Sequence, residues 1–352
     1  MKELIPPVDI KLLKQELTPE KFVRPTNKAH NEIYIIDAHT SPHTMREIGR
    51  LRELSFRSWG GGTGREIDTD DFDFLKKPFK QLLVWDPEEE EIIGGYRFLS
   101  GRDVEFLEDG QPHFVMSNLF TFSDKFIKKH LPYAIELGRA FVQPKYQTAK
   151  MGLKSLFALD NLWDGLGALV HIEAKSKYFI GKVNIYNTYP QLARELLYEY
   201  MNLHCPDPDK LIYPKVPVDT SEESKKIASV ILTEKNAESN YKALQKTVRH
   251  IGTTVPPMFN AYIGLTNTLR MFGTMIDSNF GGTYESAIML TMNDLTEAKR
   301  QRYIDPYIFH LKQKLNEKRA ARQAAKIEKE KQEGSDKIGK IKKEILDKKN
   351  EQ

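Results

Sequence analysis

Segments with strand character alternate with segments with helix character along most of this chain, and this alternation constrains its fold more than any other feature. Residues 82–86 and 92–99 predict two strands joined by a turn, and residues 134–143 predict a third. A long helix is predicted over about 148–170, directly after the third strand, and a further strand over 177–186. We therefore expect an α/β fold with a central mixed, twisted sheet flanked by helices.

Other segments extend this pattern toward both ends of the chain. Residues 32–37 predict a short strand, and residues 45–59 predict a helix that ends at the glycine-rich segment 60–64. Late strands are predicted around residues 262–265 and 286–291. The sequence contains no evident internal repeat, and its length and composition allow one large domain or two small ones.

The domain organisation follows from shifts in composition. Residues 1–30 are polar and interrupted by proline, which predicts an N-terminal arm. The α/β domain is expected over 31–310, with insertions near 100–133 and 205–250. Residues 311–352 are rich in lysine and glutamate and nearly free of aromatic side chains, which predicts a helical or disordered tail.

Composition limits the class of protein. A chain of 352 residues with 40% hydrophobic side chains can bury a full core. A formal net charge of +4 argues against nucleic acid as a partner. Cys205 is the only cysteine, which excludes a disulfide framework and a thiolate-rich metal site and favours a cytoplasmic location. No apolar run is long enough for a transmembrane helix, so we expect any contact with a membrane to be peripheral.

The tail carries most of the charge asymmetry. From His310 onward there are fourteen Lys and Arg against eight Asp and Glu. A solvated, partly helical tail is the favoured interpretation. The alternative is a basic amphipathic segment for an anionic membrane surface, because Ile338, Ile341 and Ile345 recur at helical spacing among lysines.

The first predicted helix has an arginine on its apolar face. Arg52, Phe56 and Trp59 are spaced by four and three residues, so they share that face. An arginine in an apolar stripe is costly unless it is paired. Taken alone, the two aromatic side chains are more typical of core packing than of a pocket wall.

An acidic segment and a strand arginine supply matching charges. Residues 68–73 hold four aspartates, and Arg97 lies in a predicted central strand, where a lone cation requires carboxylates. A cluster of Arg52, Arg97, Asp70 and Asp73 would satisfy every member. It could also bind an amino acid, with carboxylates for its ammonium group and arginine for its carboxylate. The alternative is an ordinary solvated run of aspartates.

The third strand contains a glutamate and an arginine three residues apart. In a regular strand Glu136 and Arg139 would point to opposite faces, but a bulge near Gly138 would bring both to one face. A bulge also frees backbone amides that could bind the oxygen of a polarised thioester. Glu136 could then act as a general base if burial raises its pKa. A structural ion pair is the alternative.

The start of the following helix could bind a phosphate. Its free amides and dipole favour an anion, and Lys145, Lys150 and Lys154 add positive charge around Gly152. Lysines at the start of a helix are also common on any protein surface.

These residues resemble a known pattern. Their order resembles that of the acyl-homoserine-lactone synthases, which belong to the GNAT superfamily. Over about residues 30–310 the chain also resembles the ornithine-lipid and glycine-lipid N-acyltransferases, with the glycine-lipid branch the more similar. The stretches that carry the second resemblance include Glu136-Leu-Gly-Arg139-Ala-Phe141-Val142, the Trp-Asp-Gly-Leu-Gly motif of residues 163–167, and residues 256–265, 273–280 and 302–303.

The resemblance implies a GNAT-like, acyl-CoA N-acyltransferase type of fold and an acyltransferase activity. The donor would be a (3-hydroxy)acyl thioester on the phosphopantetheine of acyl carrier protein, with no other cofactor. The acceptor would be the α-amine of a small amino acid, with glycine first and ornithine second. The glycine loop typical of coenzyme A binding survives only as a remnant at residues 147–152, which favours the carrier protein as donor.

The resemblance also implies roles for the site residues. Glu136 would be the base, and Arg139 would fix Glu136 or the thioester carbonyl. The phosphopantetheine phosphate would be bound by Lys150, Gly152 and Lys154. The expected substrate-binding residues are Arg52, Phe56, Trp59, Asp70, Asp73, Arg97, Phe141 and Val142.

Three rival interpretations are weaker. His204 and Asp209 form an H-x-x-x-x-D string typical of glycerolipid O-acyltransferases, but its usual companion motif is missing. Cys205 could carry an acyl group as a nucleophile. Finally, a degenerate acyltransferase fold could act as a membrane-surface or partner-binding protein through its basic tail.

Overall fold

The computed structural model describes the backbone of residues 1–350 and the side chains of residues 1–327, 331 and 332. The chain forms one compact unit, Met1–Ile304, and a second that begins at Asp305. The strands are β1 (Phe22–Pro25), β2 (Glu32–Ile36), β3 (Lys80–Asp86), β4 (Glu91–Ser100), β5 (Phe120–Phe122), β6 (Ala134–Val142), β7 (Tyr178–Ile185), β8 (Ile212–Pro214), β9 (Arg270–Asp277) and β10 (Thr283–Thr291). The helices are α1 (Ile10–Glu16), α2 (Pro42–Arg57), α3 (Asp124–Lys129), α4 (Leu153–Ile172), α5 (Gln191–His204), α6 (Glu222–Ile231), α7 (Ala237–His250), α8 (Pro257–Ile263), α9 (Glu297–Tyr303) and α10 (Asp305–Asn350).

Eight strands form one sheet in the order β1-β2-β3-β4-β6-β7-β10-β9. All described neighbours in it are antiparallel except β6 and β7, which are parallel and joined through α4. The mixed sheet is therefore confirmed. Strands β5 and β8 form a separate two-stranded sheet, so the two predicted insertions meet there.

Alternating strand residues build a core on each face of the sheet. On one face, Leu82 and Val84 of β3 pack in a cluster with Leu162 and Leu166 of α4. On the other face, Leu83 packs in a cluster that includes the buried residues of α2. A third cluster joins the sheet to the segment after β4. The site described below lies between these last two clusters.

Helix α4 lies close to its neighbours because of two glycines in the Trp-Asp-Gly-Leu-Gly motif. A Cβ on Gly165 would lie 2.5 Å from the side chain of Leu82. A Cβ on Gly167 would lie 1.9 Å from the carbonyl oxygen of Tyr303, a clash that no rotamer change relieves. The motif is thus explained by packing.

The N-terminal segment differs from the expected arm. It contains α1 and the edge strand β1, and it belongs to the same compact unit as the sheet. The backbone amide of Asn27 donates a hydrogen bond of 2.7 Å to Asp164 of α4. A polar, proline-interrupted segment can therefore join a sheet edge, where few of its backbone groups need partners.

The strand predicted around residues 262–265 is wrong. Tyr262 and Ile263 form the end of α8, which begins at Pro257 and is followed by Gly264. Proline suits the first turn of a helix because it has no amide hydrogen to leave unpaired. The sequence pattern missed β9, which follows this segment and pairs with β10. The strand predicted around residues 286–291 is confirmed as β10.

The tail is helical. Helix α10 runs from Asp305 to Asn350. The isoleucines at 338, 341 and 345 lie outside the described side chains, so the amphipathic interpretation stays a prediction. Among the described residues, every helix is too short or too polar to cross a bilayer.

Candidate active site

Strand β6 carries the predicted bulge. Its pairing with β4 runs from Gly95↔Phe141 to Arg97↔Gly138, so β6 has one residue more than β4 over this stretch. The residue that absorbs the extra length is Arg139, whose φ of 48° lies in the left-handed region. A Cβ on Gly94 would lie 2.3 Å from the carbonyl oxygen of Phe141, so glycine is required where β4 meets the bulge. The bulge is confirmed.

The sheet splits next to this bulge. Strands β6 and β7 are paired only from Ala134↔Tyr178 to Leu137↔Gly181. Beyond that point β6 continues along β4, and β7 continues along β10. Residues 138–142 therefore present a free strand edge toward β7. This split leaves room for a ligand to reach the backbone of β6 between two strands.

Glu136 lies at the closed end of the split and is buried, with 2% of its surface exposed. Its two oxygens accept hydrogen bonds from the backbone amides of Val115, at 3.0 Å, and Met116, at 2.7 Å. Burial raises the pKa of Glu136 to about 7 against the opposing effect of the Met116 amide. A carboxyl group with this pKa can exchange a proton near neutral pH.

The predicted cluster of charges is present and largely buried. The guanidinium of Arg97 lies 2.7 Å from Asp70 and 3.3 Å from Asp73. Arg52 lies 3.3 Å from Asp73 and donates a hydrogen bond of 2.5 Å to Gln81. Because Arg52, Asp73 and Arg97 are almost fully buried, they can contact a substrate only if the site opens.

Arg139 completes the cluster on its exposed side. Its guanidinium lies 2.9 Å from Asp68 and 3.6 Å from Asp70, and it also lies over the ring of Phe280. The side chains of Arg139 and Asp70 are 16% and 28% exposed, so both can reach a ligand. Arg139 and Arg97 both contact Asp70, so their side chains lie on the same face of the sheet. Arg97 pairs with Gly138, which is two residues from Glu136 along β6. Glu136 and Arg139 therefore point to the same face.

The pKa shifts of the aspartates reflect this arrangement. Burial alone would raise the pKa of Asp70, but the guanidinium of Arg97 outweighs it and lowers that pKa to about 2. Burial raises the pKa of Asp68 despite the attraction of Arg139. The cluster contains three arginines and three aspartates, so it is close to neutral overall: Arg52, Arg97, Arg139, Asp68, Asp70 and Asp73.

The aromatic residues predicted to form a wall occupy different environments. Phe56 is buried against Phe280, with ring centroids 5.1 Å apart. Trp59 is 56% exposed, and its indole donates a hydrogen bond of 2.9 Å to Gln147. Phe141 is buried in the α2 core and Val142 is half-buried against the α4 core, so both contribute to packing.

The three residues predicted to hold a phosphate also differ. The ammonium of Lys154 lies 2.8 Å from Asp86 and 2.9 Å from Glu88, so its charge is already neutralised. Lys145 is similarly paired with two glutamates. Lys150 is exposed, and Gly152 has a φ of 56° at the start of α4. The structure therefore favours Lys150 and the helix amides over Lys154 as anion ligands.

The rival sites have little support. The imidazole of His204 lies 2.8 Å from the amide of Asn240, and Asp209 is paired with Lys125 and Arg270. The two halves of the string are thus engaged elsewhere. Burial raises the pKa of the Cys205 thiol to about 12, which leaves almost no thiolate for nucleophilic attack.

Sequence reasoning missed three members of the site. Asp68 belongs to the acidic segment but was not selected from it, and Gln81 looks like any polar residue at the start of a strand. Phe280 lies in the β9–β10 hairpin, more than one hundred residues away along the chain from Arg139. Several buried arginines need carboxylate partners, and only this requirement could have indicated Asp68.

Comparison with known proteins identifies the family of this chain. A family model described as an acetyltransferase (GNAT) domain matches residues 51–156, which include all six residues of the charged cluster and β6. A glycine N(α)-acyltransferase of Phocaeicola vulgatus is 46% identical over 308 residues, covering 88% of this chain and 94% of that protein. One from Bacteroides thetaiotaomicron is 46% identical over 310 residues, covering 88% of this chain and 91% of that protein.

The solved structures that resemble this chain are much more distant. An N-acyl amino acid synthase from uncultured soil microbes has a TM-score of 0.36 and 11% identity, covering 77% of this chain and 95% of that one. The identity and coverage of the two relatives, together with the GNAT match, decide the assignment. The chain belongs to the glycine N(α)-acyltransferase family and is an N-acyltransferase with a GNAT-like fold.

Proposed function

We propose that this enzyme transfers a fatty acyl group from the phosphopantetheine thioester of acyl carrier protein to the α-amine of glycine. The observation that carries the proposal is Glu136, a buried carboxyl group with a pKa raised to about 7 at the split between β6 and β7. Two relatives that match nearly the whole chain are glycine N(α)-acyltransferases, which favours glycine as the acceptor. Ornithine is the second candidate.

Glu136 would act as the general base. The ammonium group of glycine must lose a proton before its nitrogen can attack, and an ionised Glu136 accepts that proton directly or through a water. The nitrogen then attacks the thioester carbonyl and a C–N bond forms. As the tetrahedral intermediate collapses, the C–S bond breaks, and the thiolate takes the second proton that the nitrogen must lose, so that an amide forms and the phosphopantetheine thiol leaves.

The bulge would stabilise the intermediate. Toward β7, residues 138–142 are paired with no strand in the described part of the chain, so amides on this edge are available to bind the developing oxyanion. Arg139 lies at the same point and is partly exposed, so its guanidinium could add a further donor. The free edge begins where the β6–β7 pairing ends, and Arg139 is the residue at the bulge of β6.

The charged cluster would divide into two roles. Asp70 and Arg139 are accessible, and we assign them to substrate contact. Arg52, Asp73 and Arg97 are buried and bind one another, so we assign them to positioning the acidic segment 68–73 against the sheet. Phe56 would support Arg139 indirectly, since both pack against Phe280.

We infer acyl carrier protein rather than coenzyme A as the donor because the anion-binding end of the site is small. Lys154 and Lys145 are neutralised by carboxylates, which leaves Lys150 and the first amides of α4 for one phosphate. One phosphate is what a phosphopantetheine arm carries. We place the enzyme in the cytoplasm, where carrier proteins occur, with the basic tail available to an anionic membrane surface.

The test is an acyl-transfer assay with purified protein, in which 3-hydroxyacyl carrier protein and the matching coenzyme A thioester are each offered glycine or ornithine. Mass spectrometry should detect N-acylglycine as the main product, formed faster from the carrier protein. A reaction without acceptor is the control for hydrolysis. Exclusive use of ornithine would overturn the proposed acceptor, and exclusive use of coenzyme A would overturn the proposed donor.

A further inference from the structure

A second group of charges lies across the split from Glu136. Lys182 is the first residue of β7 beyond its last pair with β6, Leu137↔Gly181. Because side chains alternate along a strand, Lys182 faces the same side as Ile180, which is the partner of Glu136. Lys182 is also close enough for its positive charge to act on the Glu136 carboxyl group. A lysine in the middle of a large sheet is costly unless it has a partner or a ligand.

The partners of Lys182 come from the next two strands. Its ammonium is paired with Glu285 of β10 and lies 3.8 Å from Asp277 of β9. Its side chain is 14% exposed, so a small ligand can reach the ammonium group. Pairing of Ala287 with Lys182 places Glu285, two residues earlier, on the same face of the sheet.

Glu285 is buried and is held mainly by Lys182. Its Oε2 is in direct ion-pair contact with the ammonium of Lys182. Its Oε1 receives only a long hydrogen bond of 3.4 Å from the hydroxyl of Thr283. Buried carboxylate oxygens nearly always accept hydrogen bonds of normal length, so Oε1 can accept a further one from a ligand.

We propose that the Lys182–Glu285 pair is the binding site for the zwitterionic amino acid acceptor. The ammonium group of Lys182 binds the acceptor's carboxylate, and Glu285 binds its α-ammonium group. This assignment rests on the proposed function and names the acceptor subsite of that reaction. A zwitterion carries one charge of each sign, so it can replace a direct ion pair with two charge-assisted hydrogen bonds without changing the net charge.

The position of the pair suits the ammonium and carboxylate groups of an α-amino acid. Neighbouring strands lie about 4.8 Å apart and residues two apart lie about 6.6 Å along a strand, so the backbones at Glu136 and Lys182 are roughly 8 Å apart. An amino acid with one carbon between its two charged groups can be held by Lys182 and Glu285 while its amine faces Glu136. The proton then passes from the α-ammonium group to Glu136, and the free amine attacks the thioester.

The test compares glycine with glycinamide, which keeps the ammonium group but lacks the carboxylate. In Lys182→Met, we expect KM for glycine to rise by about tenfold or more, and KM for glycinamide to stay near its wild-type value. In Glu285→Gln, KM should rise for both acceptors, because both present an ammonium group. KM for the acyl donor should stay unchanged in both variants, since neither side chain is assigned to the donor.

Two controls keep the result interpretable. Lys225→Met removes a lysine whose described ion pair is on the surface of α6, and it should leave both acceptors unaffected. Because Lys182→Met leaves Glu285 buried without its cation, the double variant Lys182→Met/Glu285→Gln is measured as well, with thermal unfolding to verify its fold. It should bind both acceptors weakly and lose the wild-type preference for glycine.

The inference is overturned if a folded Lys182→Met or double variant keeps KM for glycine within about twofold of wild type. This outcome differs from failure of the proposed function, in which the wild-type enzyme does not acylate glycine. If the enzyme acylates ornithine instead, the same comparison with ornithine and its amide tests the pair. If the wild type acylates no amino acid, the proposed function and the inference are both overturned.

Discussion

Glu136 and Asp70 are carboxyl groups on the same side of one sheet, but their surroundings differ. Asp70 lies 2.7 Å from the guanidinium of Arg97. Glu136 is bound instead by the amides of Val115 and Met116, which carry no formal charge. Arg97 lowers the pKa of Asp70 to about 2, whereas burial raises the pKa of Glu136 to about 7 because its two amide partners offset burial only in part. Burial and the charge of the partner together decide whether an acid is permanently ionised or able to exchange protons.

The two environments suit two functions. A permanently ionised aspartate with an arginine beside it can contact a substrate through its charge but cannot act as a base near neutral pH. A glutamate that titrates near pH 7 can take a proton from an ammonium group. Substitutions in the arginine–aspartate cluster and at Glu136 should therefore have different effects on activity and stability.

Glu136→Gln should lower the rate of acyl transfer by about 10²–10⁴-fold, because the amide cannot accept the proton. The fold should persist, since the glutamine can still accept a hydrogen bond from one of the two backbone amides. The measurement is single-turnover transfer from acyl carrier protein to glycine, with circular dichroism as the check on folding. A folded variant with a rate within about tenfold of wild type would remove Glu136 from the mechanism.

Arg97→Ala should reduce the free energy of unfolding by about 3–5 kcal/mol, because it leaves Asp73 buried without one of its cations. The matched control is Lys128→Ala, which removes an exposed ion pair with Asp124 and should cost less than about 1 kcal/mol. Urea denaturation at pH 7 measures both. Equal losses in the two variants would show that the cluster has no structural role.

Much of this comparison could be predicted from the sequence, because isolated charges in apolar segments need partners. Arg97 in a strand required carboxylates, and the aspartates of residues 68–73 were the nearest acidic run. The three-residue spacing of Glu136 and Arg139 predicted the bulge, although the left-handed residue is Arg139 rather than Gly138. Both features follow from local sequence patterns and from the free-energy cost of burying a charge without a partner.

Contacts made by the β9–β10 hairpin could not be predicted in this way. Phe280 beneath Arg139, and Glu285 beside Lys182, depend on the register of strands that are far apart in sequence. No local pattern encodes that register, and β9 itself was missed because the apolar segment before it was interpreted as the strand. The pairing of Lys154 could not be predicted for the same reason. Its ammonium group pairs with Asp86 at the end of β3 and with Glu88 in the turn that follows β3.

The smallest expected effect is a difference between wild type and Glu136→Gln in how the free energy of unfolding depends on pH. The folded pKa of Glu136, about 7, lies above its ordinary value of 4.5, so folding retains a proton that the unfolded chain releases. The stability that Glu136 contributes is therefore complete below pH 4.5 and is lost as the pH rises through 7, by about 1.4 kcal/mol per pH unit between these values. In Glu136→Gln this loss should disappear.

Asp70 should behave in the opposite way. Its folded pKa, about 2, lies below its ordinary value of 3.8, so its contribution is present above pH 3.8 and is lost as the pH falls toward 2. Urea denaturation of wild type, Glu136→Gln and Asp70→Asn from pH 5 to pH 8 therefore isolates Glu136. The difference between wild type and Glu136→Gln should change across this range, whereas that between wild type and Asp70→Asn should stay constant. Parallel curves for all three proteins would mean that the pKa of Glu136 is not raised, and Glu136 would then be too weak a base for the role proposed for it.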